Sequence, residues 1–223
     1  MKRKVLLLLL LIAILFSVNF VVAAKTYEFE IREGEKLNYQ TFSITENEGI
    51  TEVISIDENQ EKQVILFQNK VEIISAKYYR NDKEFLSVIY DYQKKKVFVT
   101  GSQKMTINLK DKLFDNNAAL FYLFGHIYPQ PNKIMSFTML QSKLGRTVEM
   151  NLKALGTEDL IISGRTISAY KYEMSLSSRM ASLFWPYKYY YWYSVENRVF
   201  LKYEGLNEKK QLQTITLINY DEN

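Results

Sequence analysis

The stretch that most constrains the fold is the aromatic segment at residues 185–205, WPYKYYYWYSVENRVFLKYEG. Read with a period of two, it places on one face Tyr187, Tyr189, Tyr191 and Tyr193. The opposite face receives Lys188, Tyr190, Trp192 and Ser194. Strict alternation with this aromatic content is typical of a β-strand. Because a polar triplet at residues 196–198 separates this run from a second strand pattern at residues 199–204, the segment is predicted to form a β-hairpin.

The rest of the chain has the rhythm of an antiparallel sheet. Between residues 27 and 100, short alternating segments are separated by polar turn motifs such as Asn-Glu-Gly at residues 47–49. These motifs recur roughly every 8–12 residues, which is typical of a meander of antiparallel strands. The same pattern resumes near residue 134 and continues to residue 220, so strands are predicted in both halves of the chain.

One segment breaks this rhythm and predicts a helix at residues 115–125. Asp115 is an acceptable N-cap and Gly125 a C-terminal stop. Nearly all of the side chains between them are apolar, so the helix needs cover on more than one side. A strongly curved sheet supplies such cover. The predicted fold is therefore mainly β, a strongly curved antiparallel sheet (half-barrel or barrel-like) with one principal helix packed in its concave side.

The N-terminus predicts export. A basic start, residues 2–4, precedes an apolar run at residues 5–16, and Val22-Ala23-Ala24 has the small residues that a signal peptidase needs. We expect residues 1–24 to be a signal peptide and residues 25–223 to be a single exported β-rich domain located in the periplasm. The alternative is an uncleaved N-terminal membrane anchor, because only Ser17 and Asn19 interrupt an apolar stretch of about 20 residues.

Charge and cysteine content narrow the function classes. The formal net charge of the whole chain is +4, but without Lys2, Arg3 and Lys4 there are 26 basic and 25 acidic residues, a net charge of +1. A chain so close to neutrality is not expected to bind nucleic acid. There is no cysteine, so an apolar core must hold the fold without disulfides. The 17 Tyr and 13 Phe residues can supply that core.

No residue set predicts catalysis or a metal site. His126 is the only histidine, and no serine lies in a G-x-S-x-G motif. Because His126 follows Gly125 at the predicted helix end, we expect its imidazole to cap a carbonyl. One histidine without cysteine does not predict zinc, and no phosphate-binding glycine motif is present. We therefore predict no catalytic residues, no metal and no cofactor; an enzyme would need an acid such as Glu173 to face a pocket.

The excess of aromatic residues has three interpretations. Tyrosine suits half-exposed strands, with the ring packed and the hydroxyl in water. Alternatively, the concave side of the sheet, with the loop at residues 180–186 at its mouth, forms an apolar pocket for lipid or another hydrophobic ligand. The residues predicted to contact that ligand are Phe184, Trp185, Tyr189, Tyr191 and Trp192. An outer-membrane barrel is disfavoured, because Lys and Glu occur on both faces of several strands and many strands are shorter than the roughly 9–11 residues needed to span a bilayer.

Four segments resemble an exported family of unknown function found in Gram-negative bacteria, whose curved antiparallel sheet is like that of the lipoprotein-carrier (Lol-type) half-barrels. Residues 35–39 are similar to its opening Leu-x-Tyr strand. Residues 115–124 resemble its Asp-x-x-Ser-Ala-Leu-Tyr helix, with Ala118 where Ser is usual. Residues 163–170 resemble its glycine-containing strand, and residues 192–194 with 198–201 its closing Trp-x-Ser hairpin. The resemblance implies this fold and no catalytic residues.

These observations predict a non-enzymatic exported protein that binds or carries a lipid or other hydrophobic ligand in upkeep of the cell envelope. The alternative is a structural or protein-interaction module of the envelope, with a filled core and no ligand. The partners expected are a lipid or apolar ligand, an envelope protein, and a membrane surface touched peripherally. The two hypotheses differ in whether the interior is hollow.

Overall fold

The computed structural model describes residues 24–110, 112–115, 118–127, 133–178, 180, 186–207 and 210–219. They form fifteen β-strands, one α-helix and a 3-10 turn at Ser142–Leu144. The first eight strands are β1 (Lys25–Glu33), β2 (Lys36–Asn47), β3 (Ile50–Asp57), β4 (Glu61–Gln68), β5 (Glu72–Arg80), β6 (Lys83–Asp91), β7 (Lys96–Gly101) and β8 (Met105–Asn108). Then follow β9 (Leu113–Asp115), the helix α1 (Ala118–His126), β10 (Ile134–Gln141), β11 (Arg146–Ile162), β12 (Arg165–Leu176), β13 (Tyr189–Ser194), β14 (Phe200–Leu206) and β15 (Leu212–Asn219).

All fifteen strands belong to one sheet, in the order β8-β7-β6-β5-β4-β3-β2-β1-β15-β14-β13-β12-β11-β10-β9. Neighbouring strands are antiparallel with one exception, the parallel pair of β9 and β10. A parallel pair needs a crossover connection, and α1 lies in that connection. The prediction of a mainly β, mostly antiparallel fold with one helix is confirmed. Within the described residues, the sheet is not closed into a barrel by strand pairing, since β8 and β9 are its two edges.

The predicted aromatic hairpin is β13 and β14. Tyr191 and Tyr193 are buried on the face that meets α1, where the Tyr193 hydroxyl donates to the Leu120 carbonyl at 2.9 Å. The pairing shifts register between Trp192, opposite Lys202, and Tyr193, opposite Phe200. Such a bulge increases the local twist of a strand pair. The burial of Tyr191 and Tyr193 on the face towards α1 agrees with the alternation read from the sequence.

The predicted helix exists, with bounds that differ from residues 115–125. Asp115 lies in β9 and is fully buried. The two residues between it and Ala118 are outside the described residues, so its role as an N-cap stays a prediction. Gly125 does not stop the helix, which continues to His126. The glycine instead permits a close approach, because a Cβ at this position would collide with the Arg198 carbonyl and press on the Tyr193 ring. Glycine is therefore required at position 125 because a side chain there would leave no space for the β13–β14 turn.

Rings of α1 contact strands that are far apart in the sheet. Tyr122 contacts Phe67 of β4, with ring centroids 4.8 Å apart. On the other side of the helix, Phe124 contacts Phe137 of β10 at 5.6 Å. Apolar side chains on both sides of the helix therefore pack against strands, in agreement with the prediction that this helix needs cover on more than one side.

A second link joins distant strands through buried polar groups. The Tyr78 hydroxyl of β5 donates to Asp115 Oδ1 of β9 at 2.6 Å. Ser142, in the 3-10 turn, donates to the Tyr78 hydroxyl at 3.0 Å. These three side chains are almost completely buried, so their polar groups depend on one another for hydrogen bonds.

The predicted signal peptide lies almost entirely at residues 1–23, outside the described residues. No helix within the described ranges is both long and apolar enough to cross a membrane.

Candidate ligand-binding cavity

A cavity of about 730 Å³ opens between the start of β1, the strands β2 and β3, helix α1 and the β13–β14 turn. Its apolar lining includes Phe29, Phe42, Val53, Phe121 and Phe200. Alternation places these strand side chains on one face, since Tyr27 and Phe29 of β1 are buried while Glu28 between them is exposed. The cavity is thus lined from three parts of the chain that are distant in sequence.

Four phenylalanine rings form its apolar floor, which we call the ring cluster: Phe29, Phe42, Phe121 and Phe200. The Phe29 ring contacts the Phe42 ring edge-on at 5.1 Å and the Phe200 ring at 5.3 Å. The Phe121 ring of α1 stacks on Phe200 at 4.5 Å and meets Phe42 edge-on at 5.7 Å. Aromatic pairs at these separations hold one another in defined orientations. The floor is therefore apolar, and α1 supplies one of its four rings.

The mouth of the cavity is polar and charged. Besides two tyrosines, its ionisable lining residues are Lys25, Glu46, His126, Glu196 and Arg198. Glu46 also forms an ion pair with Lys70 at 3.2 Å. Arg198 lies over the Tyr170 ring, with its guanidinium carbon 4.4 Å from the ring centroid. The cavity therefore combines an apolar floor with a charged mouth.

His126 is held as a neutral, structural side chain. Its Nδ1 lies 3.2 Å from the Tyr122 carbonyl, and its ring stacks on the Tyr122 ring at 4.4 Å. Burial lowers the pKa of His126, and the positive charges of Lys70 and Arg198 lower it further against the opposing effects of the carbonyl and of Glu46. The predicted contact with a helix carbonyl is present, and it assigns the proton to Nδ1.

The structure describes three of the five predicted contact residues and does not place them together. Phe184 and Trp185 lie outside the described residues. Tyr189 stacks on Tyr203 with centroids 6.4 Å apart, and Tyr191 is buried against Phe124 at 5.4 Å. Neither lines the cavity. Their contact with a ligand stays a prediction.

Trp192 lies on the opposite face of the sheet from Tyr191. Its Nε1 donates to Glu158 Oε1 at 2.6 Å, and the ammonium groups of Lys171 and Lys202 each lie 4.9 Å from its ring centroid. Partial burial alone would raise the pKa of Glu158, but the hydrogen bonds from Trp192 and Lys171 hold it below its ordinary value. Trp192 is therefore fixed among charged groups on the face away from α1.

Glu173, the acid that an enzyme would need in a pocket, shares this outer face. It pairs with Tyr190 across the strands and forms an ion pair with Lys188 at 2.8 Å. The neighbouring side chains on the inner face are the buried Tyr172 and Met174. Among the described residues, no three His, Asp or Glu side chains lie close enough to hold a metal ion.

The sequence did not identify the residues that line the cavity. Phe29 and Phe42 were placed correctly in strands, and Phe121 in the helix, but each pattern reports only burial. Their convergence depends on the pairing of β1 with β2 and of β1 with β15. One sequence signal pointed towards this convergence. The helix α1 is apolar on all sides, which indicates that it packs against several surfaces.

No protein-family model matches the sequence, and no curated protein matches it. The chain is similar to the β-barrel-like protein of a domain of unknown function, DUF1849, from Brucella abortus, with a TM-score of 0.58 and 8% identity over 90% of this chain and 99% of that one. It is also similar to the hypothetical lipoprotein YmcC from Escherichia coli, with a TM-score of 0.42 and 9% identity over 96% and 95%. A LolA superfamily protein from Nitrosomonas europaea matches with a TM-score of 0.26 and 9% identity over 91% and 87%.

At 8% identity, the likeness to the Brucella protein shows the fold alone. The resemblance stated from the sequence, to a family of unknown function with a curved β-sheet, is confirmed to the extent that this β-barrel-like protein of unknown function has a similar fold.

Proposed function

We propose that this chain is an exported, non-enzymatic protein of the bacterial envelope whose sheet curves around α1 and holds an apolar ligand in the 730 Å³ cavity. The observation that carries the proposal is the ring cluster at the floor of that cavity. Ligand sites are typically concave, mostly apolar and about 300–1,000 Å³ in volume. A floor of four rings without a polar group favours hydrocarbon over charged metabolites.

The curvature is supported by contacts between distant strands. Strands β4 and β10, which both contact α1 through rings, stand nine positions apart in the sheet. In a flat sheet they would be separated by roughly 43 Å, at about 4.8 Å per strand. A helix is only about 10–12 Å wide with its side chains. These contacts favour a strongly curved half-barrel with the helix on its concave side.

Export is supported by the N-terminal sequence. The basic start, the apolar run and the Val22-Ala23-Ala24 motif together favour secretion to the periplasm with cleavage before Lys25. A non-enzymatic role is supported by Glu173, which forms an ion pair with Lys188 and does not line the cavity.

A cavity-filling substitution tests ligand binding. Ile44 is partly buried and lines the cavity, so Ile44→Trp is expected to occupy its volume with apolar atoms. We expect the neutral apolar dye N-phenyl-1-naphthylamine to bind the parent protein with enhanced fluorescence and to bind Ile44→Trp at least tenfold more weakly. Ile167→Trp is the matched control, because Ile167 is a partly buried strand isoleucine that lies outside the cavity lining. Equal binding by all three proteins would place the dye elsewhere and refute the cavity as its site.

One observation favours the second candidate, a protein-interaction module. Among the described strands, β8 is an edge that pairs with β7 alone. An exposed edge can accept a strand from another protein. If a partner binds there, it should be crosslinked by a photoreactive residue at Thr106 of β8, and the Ile44→Trp change should leave that crosslink intact.

A further inference from the structure

The charged mouth of the cavity narrows the class of ligand. Of its charged lining residues, Glu46 is compensated by its ion pair with Lys70, and the Arg198 guanidinium is engaged over the Tyr170 ring. His126 contributes little charge, because burial and nearby cations lower its pKa. The exposed charged side chains that remain at the entrance are Lys25 and Glu196.

Lys25 is the group best placed to meet a ligand. It is exposed at the start of β1 and takes part in no ion pair within the described residues. It pairs across the strands with Ile44, whose side chain lines the cavity. Cleavage before Lys25, as proposed for export, would also place the α-ammonium group of the mature chain at this residue. That group has a pKa near 8, so it adds most of a second positive charge at neutral pH.

We infer that the cavity takes a long-chain amphiphile with an anionic headgroup, its hydrocarbon on the ring cluster and its carboxylate or phosphate at the start of β1, where Lys25 and the α-ammonium group of the mature chain lie. The inference rests on the proposed function and adds the headgroup to it. Phenylalanine rings select only for hydrocarbon, whereas the cations at the mouth distinguish charged heads. Because the mouth is open to solvent, each ion pair is weak, worth a fewfold change in affinity.

The test compares two lysophospholipids with the same hexadecanoyl chain and different net charge. Lysophosphatidylglycerol is anionic and lysophosphatidylcholine is net neutral, so the shared chain cancels in the ratio of their affinities. The protein is exported from the full-length gene, its first residue is confirmed by mass, and each lipid displaces the naphthylamine dye at low ionic strength. We expect the anionic lipid to bind about tenfold more tightly, with the ratio falling as salt is added. Hexadecanoate in a third arm separates a carboxylate source from a phosphate source, and binding of either anion supports the inference.

Two substitutions that each remove one positive charge test whether Lys25 causes the preference for the anionic lipid. Lys25→Gln is expected to reduce the affinity ratio about threefold, since it removes one exposed cation at the mouth. Lys36→Gln removes the same charge from an exposed position at the far end of the β1–β2 pair and should leave the ratio unchanged. Equal affinity for the two lysolipids would overturn the headgroup inference while leaving the proposed function standing. Failure of every lipid to bind would overturn both.

Discussion

Removing the Tyr78 hydroxyl tests how the distant strands of the sheet are joined. Strands β5 and β9 stand eleven positions apart in the sheet order, yet the Tyr78 hydroxyl lies 2.6 Å from Asp115 Oδ1. Tyr78→Phe removes this donor and also the acceptor of the hydrogen bond from Ser142. The ring, its burial and its neighbours are retained, so the change isolates the polar link.

The expected cost follows from the burial of the group. A hydrogen bond between two buried neutral groups contributes about 1 kcal/mol, and one to a carboxylate about 1.5–3 kcal/mol. Asp115 is fully buried, so water cannot replace the lost donor. We therefore expect Tyr78→Phe to lower the free energy of unfolding by about 2–3 kcal/mol. For a chain of this length, that corresponds to a fall in Tm of about 4–12 °C.

Thermal and urea denaturation followed by circular dichroism measure this change. The matched control is Tyr90→Phe, because Tyr90 lies on the adjacent strand β6, is similarly buried, and its hydroxyl bonds to no side chain among the described residues, although the Asp115 backbone lies beside it. Losing this hydroxyl should therefore cost clearly less stability than losing that of Tyr78. If both variants lose the same stability, or Tyr78→Phe loses none, the polar link does not hold these strands together.

Two further predictions concern the core. Burial raises the pKa of Tyr78, Tyr191 and Tyr193 well above the ordinary value of 10.0. The unfolded chain releases these protons near pH 10, whereas the folded chain retains them. The free energy of unfolding should therefore fall as the pH rises above 10. Tyrosinate absorbance should then rise together with loss of structure, and full titration in an intact fold would contradict this. Gly125→Ala should lower the free energy of unfolding by about 2 kcal/mol despite the higher helix propensity of alanine, because its Cβ meets the Arg198 carbonyl; an unchanged Tm would refute the close contact.

Local patterns in the sequence predicted the strands well. The alternation at residues 187–194 separates the inward Tyr191 and Tyr193 from the outward Trp192, as the structure has them. Period-two alternation is a property of the strand itself, so it can be read without knowing the neighbours. The parallel pair of β9 and β10 was not predicted, because β9 has only three residues and its direction depends on the crossover through α1.

Local preferences at the ends of the helix did not reveal the distant contacts of these residues. Asp115 was read as an N-cap, and in the structure it accepts hydrogen bonds from Tyr78 and Ser142. Gly125 is a common helix stop, but here it makes room for the Arg198 carbonyl. In both cases a tertiary contact distant in sequence determines the residue, and local preference carries no information about it.

The candidate site was the least predictable part. The high density of aromatic residues at 185–205 predicted a ligand surface that includes Tyr189, Tyr191 and Trp192. Strand alternation alone places Tyr191 and Trp192 on opposite faces, so these residues cannot line one pocket together. The ring cluster instead draws single phenylalanines from β1, β2, α1 and β14, and each is unremarkable in its own segment. Only the pairing of the strands brings them together.

Native mass spectrometry of the mature chain, residues 25–223, tests the central claim of a ligand-holding cavity most directly. The protein is exported to a bacterial periplasm, purified without detergent, and measured before and after incubation with envelope lipids. We expect a stoichiometric adduct of lipid mass on the parent protein and on Ile167→Trp, and its loss from Ile44→Trp. A bare protein mass for the parent under both conditions would contradict a ligand-holding cavity and favour the interaction module with a filled core.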